Sequence, residues 1–590
     1  MRKSTWIVAT VSVAVVLLLT GLSMSAPTNE SLRVQIRLST DAATGIAALG
    51  LQVPATGRVF LLLSRDASTE PRLQLGVTGV PLWGMDVRGF GDGDSITLDT
   101  TGAQSSGATS DGGVIGYPLA SFDAIPPGEY VVQPFLSVYT QFERADGNVV
   151  EMHQNYGAGQ QAFRAPGNAY GTPTRMRIDP AAGGNIELVI DQVIPPIEPL
   201  RVGETLQQGN PRDSERVKFV KMRSEVLSEF WGQDMYIGAN VLLPYGYDPS
   251  SDIRYPTLYL QGHFPGRAAP LGYGEAAPRA RSTGFTELWD SADAPRMFAV
   301  TLRDANPYYD TSYSVDSANV GPYGTAITEE LMPYLERQFR MIPETWARVT
   351  AGGSTGGWEA LAAQIFYPEV FGGTWGWCPD PVDFNYYQIV GIYEDDNAYT
   401  MGNEWHRIER PNARRPDGNI TSTVRMENTM ELARGPNSRS GGQWAIWEAV
   451  FGPVGEDGYP APIWDPVSGV IDREVAEYWR ENFDLHRYLR EEWQEIGASL
   501  RGKLHVATGD MDTYYLEEAV FLLQDFLDRV DNPPADASFE YGWRKPHCWI
   551  GYSPSGSGDD LTNSEFVQVV AEYLDERASG DADRAWLEER

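Results

Sequence analysis

The chain up to about residue 195 alternates short apolar runs with clusters of Gly, Pro, Asp and Ser. Such clusters lie, for example, at residues 91–94 and 126–128. Short strands divided by turn residues are typical of antiparallel sheets packed face to face. We therefore predict an all-β, sandwich-like domain over residues 30–195, followed by a proline-containing linker over residues 196–215. The clearest apolar runs are residues 32–38, 58–63, 130–139 and 186–190.

Beyond residue 216 the pattern changes to apolar strands that alternate with amphipathic helices. Alternation of this kind predicts a mostly parallel sheet with helices on both faces, here over residues 216–590. A cap-like insertion at about residues 380–502 interrupts it, and its many tryptophans suggest a preference for aromatic or sugar-linked acyl groups. The predicted strands are 235–243, 257–260, 298–302, 348–351, 503–508 and 538–541, and the predicted helices are 327–339, 358–366, 517–527 and 564–574.

The first residues have the three-part layout of a secretory signal. Arg2 and Lys3 form a basic start, an apolar run covers residues 6–22, and small residues follow up to Ala26. We predict a signal peptide over residues 1–26 and a secreted or periplasmic protein. The apolar run is about 17 residues long, at the lower limit for a spanning helix, so an uncleaved anchor stays an alternative.

The charge of the chain narrows the choice of partners. The formal net charge is −34, which would repel nucleic acid and anionic membranes, so we expect neither as a partner. Two cysteines and six histidines show no close zinc-ligand spacing, and we expect no metal. Outside the cytoplasm Cys378 and Cys548 are candidates for a disulfide. The sequence gives no indication of the oligomeric state.

The strongest chemical feature is the segment Gly-Gly-Ser-Thr-Gly at residues 352–356. It fits G-x-S-x-G, in which a tight strand-to-helix turn exposes a nucleophilic serine. The glycines are needed because the turn leaves no space for side chains. A predicted strand ends at Ala351 and a predicted helix begins just after Gly357, so the context favours Ser354 as a nucleophile on an α/β-hydrolase fold.

A serine nucleophile needs a base, and in this fold the acid and then the histidine follow the serine along the chain. Four histidines follow Ser354, and they are His406, His486, His505 and His547. The first two lie in the insertion and the third lies inside a predicted strand. His547 comes after the last predicted strand, where the base is expected to emerge, and we predict it as the general base.

The acid and the oxyanion hole are predicted from neighbouring strand ends. Asp510 and Asp512 directly follow the strand at 503–508, and the residues alone leave either as the acid. An oxyanion hole needs backbone N–H groups. We predict that Thr355, next to the nucleophile, and His263, in the loop after the strand at 257–260, supply them.

Several segments together resemble the "Putative esterase" family of α/β-hydrolases, which includes feruloyl esterases, S-formylglutathione hydrolases, enterochelin esterases and mycolyltransferases. The resemblance covers roughly residues 216–380 and 500–575. Its motifs are LLPYGY at 242–247, YPTLYL at 255–260, EELMPY at 329–334, GSTGGWEAL at 353–361 and YPEVFG at 367–372.

The resemblance implies Ser354 as nucleophile, Asp512 in a Gly-x-x-Asp setting as acid, and His547 in a His-x-Trp setting as base. Asp510 is then the alternative acid. The family usually has His-Gly in the oxyanion loop, where this chain has Gln261-Gly262. Only the amide of the next residue is needed there, so activity is expected to survive this departure.

The resemblance thus implies a serine esterase that forms an acyl-enzyme and needs no cofactor. Its substrate would be a small-molecule or glycan-linked ester. Two alternatives stay open. One is an acyltransferase or peptidase on the same triad, and the other is a non-catalytic secreted binding protein on a hydrolase scaffold.

Overall fold

The structure is a computed structural model of the chain. It describes residues 31–100, 113–154, 161–196, 213–263, 269–276, 279–580, 582 and 584–588. The predicted signal peptide and residues 197–212 of the predicted linker lie outside the described residues. Within the described ranges, every helix is too short or too polar to span a lipid bilayer.

The region before residue 196 is β-rich, as predicted. Its elements are β1 (Arg33–Leu38), α1 (Thr40–Ala48), β2 (Ala55–Ser64), β3 (Leu82–Phe90), β4 (Ser95–Leu98), β5 (Ile115–Tyr117), β6 (Gly128–Glu143), β7 (Val149–His153), β8 (Ala169–Tyr170), β9 (Thr174–Ile178), β10 (Asn185–Ile190) and β11 (Gln192–Val193). One sheet has the order β10-β1-β4 and the other has the order β11-β8-β6-β2-β3-β5, with β7 and β9 also paired to β6.

These two sheets share one apolar core. Val34 and Ile36 of β1 pack in the same cluster as Val59 and Leu61 of β2, and all four are almost fully buried. Alternate residues of β1 face this core, as expected for a strand with one solvated face. One pairing departs from the predicted antiparallel pattern, because β1 and β10 run parallel. These strands come from opposite ends of the region, so no hairpin joins them.

Residues 217–588 contain mixed strands and helices. The strands are β12 (Val217–Ser224), β13 (Met235–Leu242), β14 (Thr257–Gln261), β15 (Phe298–Arg303), β16 (Asp316–Ser317), β17 (Gly321–Pro322), β18 (Arg348–Gly353), β19 (Gly373–Trp377), β20 (Thr400–Gly402), β21 (Arg407–Glu409), β22 (Pro411–Arg414), β23 (Ile420–Thr423), β24 (Leu504–Gly509) and β25 (Ser538–Gly542). The helices are α2 (Glu225–Trp231), α3 (Phe285–Trp289), α4 (Tyr323–Thr325), α5 (Met332–Phe339), α6 (Thr355–Phe366), α7 (Val424–Arg434), α8 (Gln443–Phe451), α9 (Arg473–Asn482), α10 (Leu485–Leu500), α11 (Glu517–Leu527), α12 (Asn563–Arg577) and α13 (Ala585–Glu588).

The central sheet of this region has eight strands in the order β12-β13-β15-β14-β18-β19-β24-β25. The pairs β12–β13 and β13–β15 are antiparallel. All the other neighbouring strands in the sheet pair in parallel. The carboxyl ends of β14, β18, β19, β24 and β25 therefore lie along one edge, and the residues that follow these strands are gathered there.

Helices cover both faces of this sheet at β19. The rings of Trp375 and Trp377 lie 5.8 and 4.7 Å from the ring of Phe566 on α12. A Cβ atom added to Gly376 would lie 2.8 Å from Leu361 on α6. Because successive residues of a strand face opposite sides, α12 and α6 pack on opposite faces.

Aromatic side chains of the insertion pack together within the apolar core of this region. The rings of Trp444, Trp447, Trp464 and Trp479 each lie between 5.0 and 5.7 Å from the ring of Tyr387. All four tryptophans are buried, whereas Trp405 is 80% exposed. The tryptophans therefore hold the insertion together, and their number carries no indication of an aromatic substrate.

The β-rich region packs directly against the insertion. Met430 and Ala433 of α7 share an apolar cluster with Phe60 on β2. The Arg58 guanidinium donates through Nε and a terminal nitrogen to the Ala433 carbonyl, each at 3.1 Å, at the end of α7. This contact positions α7 relative to the β-rich region.

Candidate active site

Ser354 lies on a sharp turn between β18 and α6. Its backbone φ is 61° and its ψ is −124°, a conformation that non-glycine residues rarely adopt. A Cβ at Gly352 would lie 2.3 Å from the Gly356 carbonyl, and one at Gly356 would lie 2.3 Å from the Gln261 carbonyl. The glycines of the motif therefore allow the close approach that this turn requires.

The structure brings Ser354, His547 and Asp512 into one hydrogen-bonded chain. His547 Nε2 lies 2.9 Å from Ser354 Oγ, and His547 Nδ1 lies 2.8 Å from Asp512 Oδ2. Ser354 follows β18, Asp512 follows β24 and His547 follows β25. The carboxyl ends of these three strands share one edge of the sheet. The arrangement can accept a proton from the serine and stabilise the resulting imidazolium.

Asp510 and Asp512 have different partners. Asp512 is fully buried, and its second oxygen accepts a hydrogen bond of 2.8 Å from the Tyr514 amide. Asp510 accepts instead from the Arg544 amide and makes no hydrogen bond to His547. The geometry thus joins the predicted acid to the imidazole and leaves the alternative acid apart from it.

The other three histidines that follow Ser354 are engaged elsewhere or exposed. His486 Nδ1 lies 2.5 Å from Asp383 Oδ2 inside the insertion. His505 Nδ1 lies 2.7 Å from Ser538 Oγ, and its ring stacks at 4.8 Å on Trp375. His406 is exposed between β20 and β21. None of the three makes a hydrogen bond to Ser354 among the described residues.

The surroundings of His547 favour its protonated form. Burial alone would lower its pKa, but the Asp512 carboxylate raises it through charge and a hydrogen bond. Contact with Cys548 raises it further, so the pKa lies well above the ordinary value for histidine. The rings of Tyr514 and His547 are nearly perpendicular, with 5.0 Å between their centroids.

The predicted oxyanion residues lie on facing turns. Thr355 is buried at the start of α6, and His263 follows Gly262 at the end of β14. A Cβ at Gly262 would come within 4.0 Å of the Gly356 backbone, so the two turns are close neighbours. The pKa of His263 is lowered to about 4 by burial and by the charge of His547, which keeps its side chain neutral.

A fourth polar residue, Asp380, was missed by the sequence analysis. Its Oδ2 accepts four hydrogen bonds, and burial raises its pKa to about 6 despite these donors. Its position three residues beyond the end of β19, on the edge where the site lies, is the signal that could have found it. The donors are Tyr313 Oη at 2.6 Å, Thr355 Oγ1 at 3.1 Å, Gln443 Nε2 at 3.2 Å and Trp447 Nε1 at 3.2 Å.

Cys378 and Cys548 meet beside the triad as free thiols. Their sulfur atoms are 2.8 Å apart, so the fold brings the two cysteines into contact, and the disulfide stays a prediction. Cys378 Sγ also accepts a hydrogen bond of 3.3 Å from the Ser354 amide. The two cysteines thus lie next to Ser354 and His547, since Cys378 contacts the Ser354 amide and Cys548 directly follows His547.

The same place contains a set of possible metal ligands. One ligand atom each from Cys378, His547 and Cys548 lies within 4.8 Å of the others. Thiolates and imidazole are ligands that soft and borderline metals prefer. The expectation of no metal rested on sequence spacing alone, and it stays a prediction.

Comparison with known proteins connects this site to a family. Residues 229–433 match the family model described as "Putative esterase". The resemblance inferred from the sequence motifs is thereby confirmed for this part of the chain. The matched segment contains Ser354, Thr355 and His263 and ends before Asp512 and His547.

The individual proteins that this chain resembles share low sequence identity with it. An endo-1,4-beta-xylanase/feruloyl esterase of Xylanibacter ruminicola is 29% identical over 147 residues, which cover 23% of this chain and 19% of that protein. A solved ferulic acid esterase is 17% identical, with a TM-score of 0.34 over 61% of this chain and 97% of its own. An S-formylglutathione hydrolase from Agrobacterium tumefaciens is 13% identical, with a TM-score of 0.29 over 61% of this chain and 95% of its own. The chain therefore spans about a fifth of the curated relative that it matches.

Proposed function

We propose that the protein is a secreted serine esterase with an α/β-hydrolase fold, in which Ser354, His547 and Asp512 form the catalytic triad. The observation that carries the proposal is the chain of hydrogen bonds, 2.9 Å from Ser354 to His547 and 2.8 Å from His547 to Asp512. The match of residues 229–433 to an esterase family model gives independent support. The signal-like layout of residues 1–26 supports secretion.

In the first half of the proposed reaction, Ser354 Oγ attacks the ester carbonyl while His547 Nε2 takes the serine proton. Asp512 holds the imidazole by Nδ1 and stabilises its positive charge. The amides of Thr355 and His263 bind the negative charge that develops on the carbonyl oxygen. His547 then gives its proton to the departing alcohol, and the acyl group stays on Ser354.

In the second half, water attacks the acyl-enzyme. His547 removes a proton from this water, and the same two amides stabilise the second tetrahedral intermediate. The acid product leaves when His547 returns the proton to Ser354. Side chains and amides of the chain itself carry every one of these steps, so the proposal requires no cofactor.

The proposed substrate is a small-molecule or glycan-linked carboxylic ester. One relative is a xylanase/feruloyl esterase, a name that combines a glycan-degrading and an ester-cleaving activity. Tyr514 is 37% exposed and contacts the base at 5.0 Å, so an aromatic surface borders the reacting atoms. An aromatic acyl group could pack against that ring.

A hydrolysis screen over p-nitrophenyl, feruloyl and acetylated-sugar esters tests this function. We expect turnover of at least one class by the wild type and a loss of several orders of magnitude in Ser354→Ala, since the triad acts as a unit. Ser250→Ala, which changes an exposed serine, is the matched control and should keep full activity. Equal activity of Ser354→Ala and the wild type would overturn the proposal.

A further inference from the structure

Three ionisable side chains share one face of helix α7 in the insertion. Glu427, Glu431 and Arg434 follow one another at spacings of four and three residues, which places them on the same side of an α-helix. At 1.5 Å per residue they extend over about 10 Å along the helix axis. One face of α7 can therefore reach different parts of the candidate site.

The end of this face at Glu427 lies beside the loop of the proposed acid. Glu427 Oε2 accepts a hydrogen bond of 3.2 Å from Asn412 Nδ2, and Asn412 lies on β22. The last residue of β22, Arg414, donates through Nε to the Asp512 carbonyl at 3.0 Å. Strand β22 thus connects α7 to the residue that holds the imidazole.

The middle of the face is connected to the elbow of the nucleophile. Glu431 Oε1 accepts from the Trp444 amide at 3.0 Å, at the start of α8. The residue before Trp444 is Gln443, which donates to Thr355 Oγ1 at 3.3 Å. The face of α7 therefore lies one residue away from a direct contact with the elbow.

Tyr309 connects the end of the face at Arg434 to the oxyanion loop. The Tyr309 hydroxyl donates to Gln443 Oε1 at 3.2 Å, and its ring centroid lies 5.9 Å from that of His263. Burial and neighbouring carboxylates raise the pKa of Tyr309, and the Arg434 guanidinium is close enough to oppose them. Arg434 is therefore a neighbour of the residue that packs on the oxyanion loop.

The guanidinium of Arg434 is a cation without a partner. It makes no hydrogen bond and no ion pair with any other residue that the structure describes, and its Nε is shielded from solvent. Burial lowers the pKa of this guanidinium, although three nearby acidic groups oppose the change. The side chain is nevertheless partly exposed, so it lines a recess that solvent can enter. A desolvated cation without an acceptor is unfavourable, and an anionic ligand would relieve that cost.

The two carboxyl groups on the same face do not pair with Arg434. Burial raises the pKa of Glu427 to about 8, so this side chain is neutral at pH 7. Glu431 accepts from two backbone amides of α8 and from Ser440 Oγ, at distances of 2.8 to 3.0 Å. The oxygens of Glu431 are therefore directed toward α8, which leaves the guanidinium to an acceptor from outside the chain.

We propose that Arg434 binds a carboxylate group of the substrate, so that the enzyme prefers esters whose acyl or alcohol part carries a carboxylate. A guanidinium presents two parallel N–H groups, which match the two oxygens of a carboxylate. This inference rests on the proposed function, because it assigns a substrate class to the site of Ser354.

Two pairs of esters test the preference. The mono-4-nitrophenyl ester of adipic acid and 4-nitrophenyl hexanoate differ by a carboxylate on the acyl part, and 4-acetoxybenzoate and 4-acetoxybenzamide differ by a carboxylate on the alcohol part. We expect the wild type to prefer the charged ester in at least one pair. In Arg434→Met the ratio of kcat/KM for the charged ester to that for the neutral ester should fall by about 30-fold in that pair, because charge-assisted hydrogen bonds are lost.

Three further measurements serve as controls. Arg425→Met removes the same charge from the first turn of α7, where Arg425 forms an exposed pair with Glu409, and it should leave the ratio unchanged. Arg434→Lys keeps the charge without the two parallel donors and should restore only part of the preference. Urea denaturation should show Arg434→Met to be at least as stable as the wild type, because the substitution breaks no hydrogen bond of the side chain.

Three results would overturn the inference. They are an unchanged ratio for Arg434→Met in both pairs, an equal fall of the ratio in Arg425→Met, or a marked loss of stability in Arg434→Met. Titration calorimetry of the two charged esters with Ser354→Ala, with and without Arg434→Met, measures the contact without turnover, and unchanged binding of both esters would also overturn it. A wild type that hydrolyses none of the four esters would instead contradict the proposed function, and the binding measurement would then decide the role of Arg434.

Discussion

Asp512 and Asp510 stand two residues apart on one loop, yet only one of them reaches the imidazole. Asp512 is fully buried, and its oxygens accept from His547 Nδ1 and from the Tyr514 amide, both at 2.8 Å. Asp510 is partly exposed and accepts from the Arg544 amide. At the scale of single residues, the direction in which each carboxylate points decides which one can orient the base.

The first prediction separates these two aspartates. Asp512→Asn should lower kcat by on the order of 10⁴-fold, because an amide at this position favours the wrong imidazole tautomer. Asp510→Asn is the matched control and should stay within about tenfold of the wild type, because its amide oxygen can still accept from Arg544. Steady-state kinetics on one activated ester gives both values. A larger loss of kcat in Asp510→Asn would identify Asp510 instead of Asp512 as the acid.

At the scale of elements, Asp380 connects the elbow to helix α8 of the insertion. Thr355 begins α6, Gln443 begins α8, and both donate to Asp380 Oδ2, at 3.1 and 3.2 Å. Trp447, one turn further along α8, donates to the same oxygen at 3.2 Å. The insertion is thereby tied to the residue whose amide is proposed to bind the oxyanion.

The second prediction is that Asp380→Asn slows the reaction and stabilises the fold at neutral pH. The negative charge of Asp380 interacts favourably with protonated His547, so its removal should lower kcat by about tenfold, equivalent to about 1.4 kcal/mol. Burial raises the pKa of Asp380 from 3.8 to about 6, so its ionisation lowers the free energy of unfolding as pH rises through this range.

Denaturation curves at pH 4 and pH 8 measure the second effect. The stability gain of Asp380→Asn over the wild type should be small at pH 4 and larger at pH 8. Gln443→Leu removes the hydrogen bonds of Gln443 to Asp380 and its neighbours but keeps the carboxylate, so it serves as the control for lost hydrogen bonds without a lost charge. Unchanged kcat together with a pH-independent stability difference would contradict this account of Asp380.

Ser354, Asp512 and His547, the proposed triad, could be picked out from the sequence because each of them follows a strand end in a short local motif. Ser354 lies in G-x-S-x-G, and the family resemblance, with its Gly-x-x-Asp setting, implied Asp512 rather than Asp510 as the acid. Asp380 also follows a strand end, but it lies in no such motif, and its donors come from segments around residues 313, 355 and 443–447 that only the folded chain brings together. Side chains that meet across long sequence separations leave no periodic signal.

At the scale of the whole molecule, the β-rich region supports the insertion. Arg58 on β2 is 1% exposed, donates to the Ala433 carbonyl at the end of α7, and pairs with Asp86 at 2.6 Å. Arg439 pairs with the other oxygen of Asp86, also at 2.6 Å. Composition and turn pattern predicted the β-rich character of this region, but they carried no information about the surface on which it packs.

The third prediction concerns the contacts that Arg58 makes with Ala433 and Asp86. Arg58→Met should lower the free energy of unfolding by about 3 kcal/mol, because it leaves the buried Ala433 carbonyl without its donor and removes one partner of Asp86. Arg88→Met is the control, since Arg88 is 79% exposed in its pair with Glu151 and exposed pairs contribute little. Urea denaturation followed by tryptophan fluorescence measures both. A larger loss of unfolding free energy in Arg88→Met than in Arg58→Met would contradict the claim that Arg58 stabilises the contact between the β-rich region and the insertion.

The central claim is that Ser354 is the nucleophile of a working triad. The most direct measurement is the reaction of the full chain with a fluorophosphonate, followed by peptide mapping of the adduct by mass spectrometry. The account predicts one adduct, on Ser354 Oγ, formed more slowly in Asp512→Asn and not at all in Ser354→Ala. An adduct on another residue, or equal labelling of Ser354→Ala and the wild type, would contradict it.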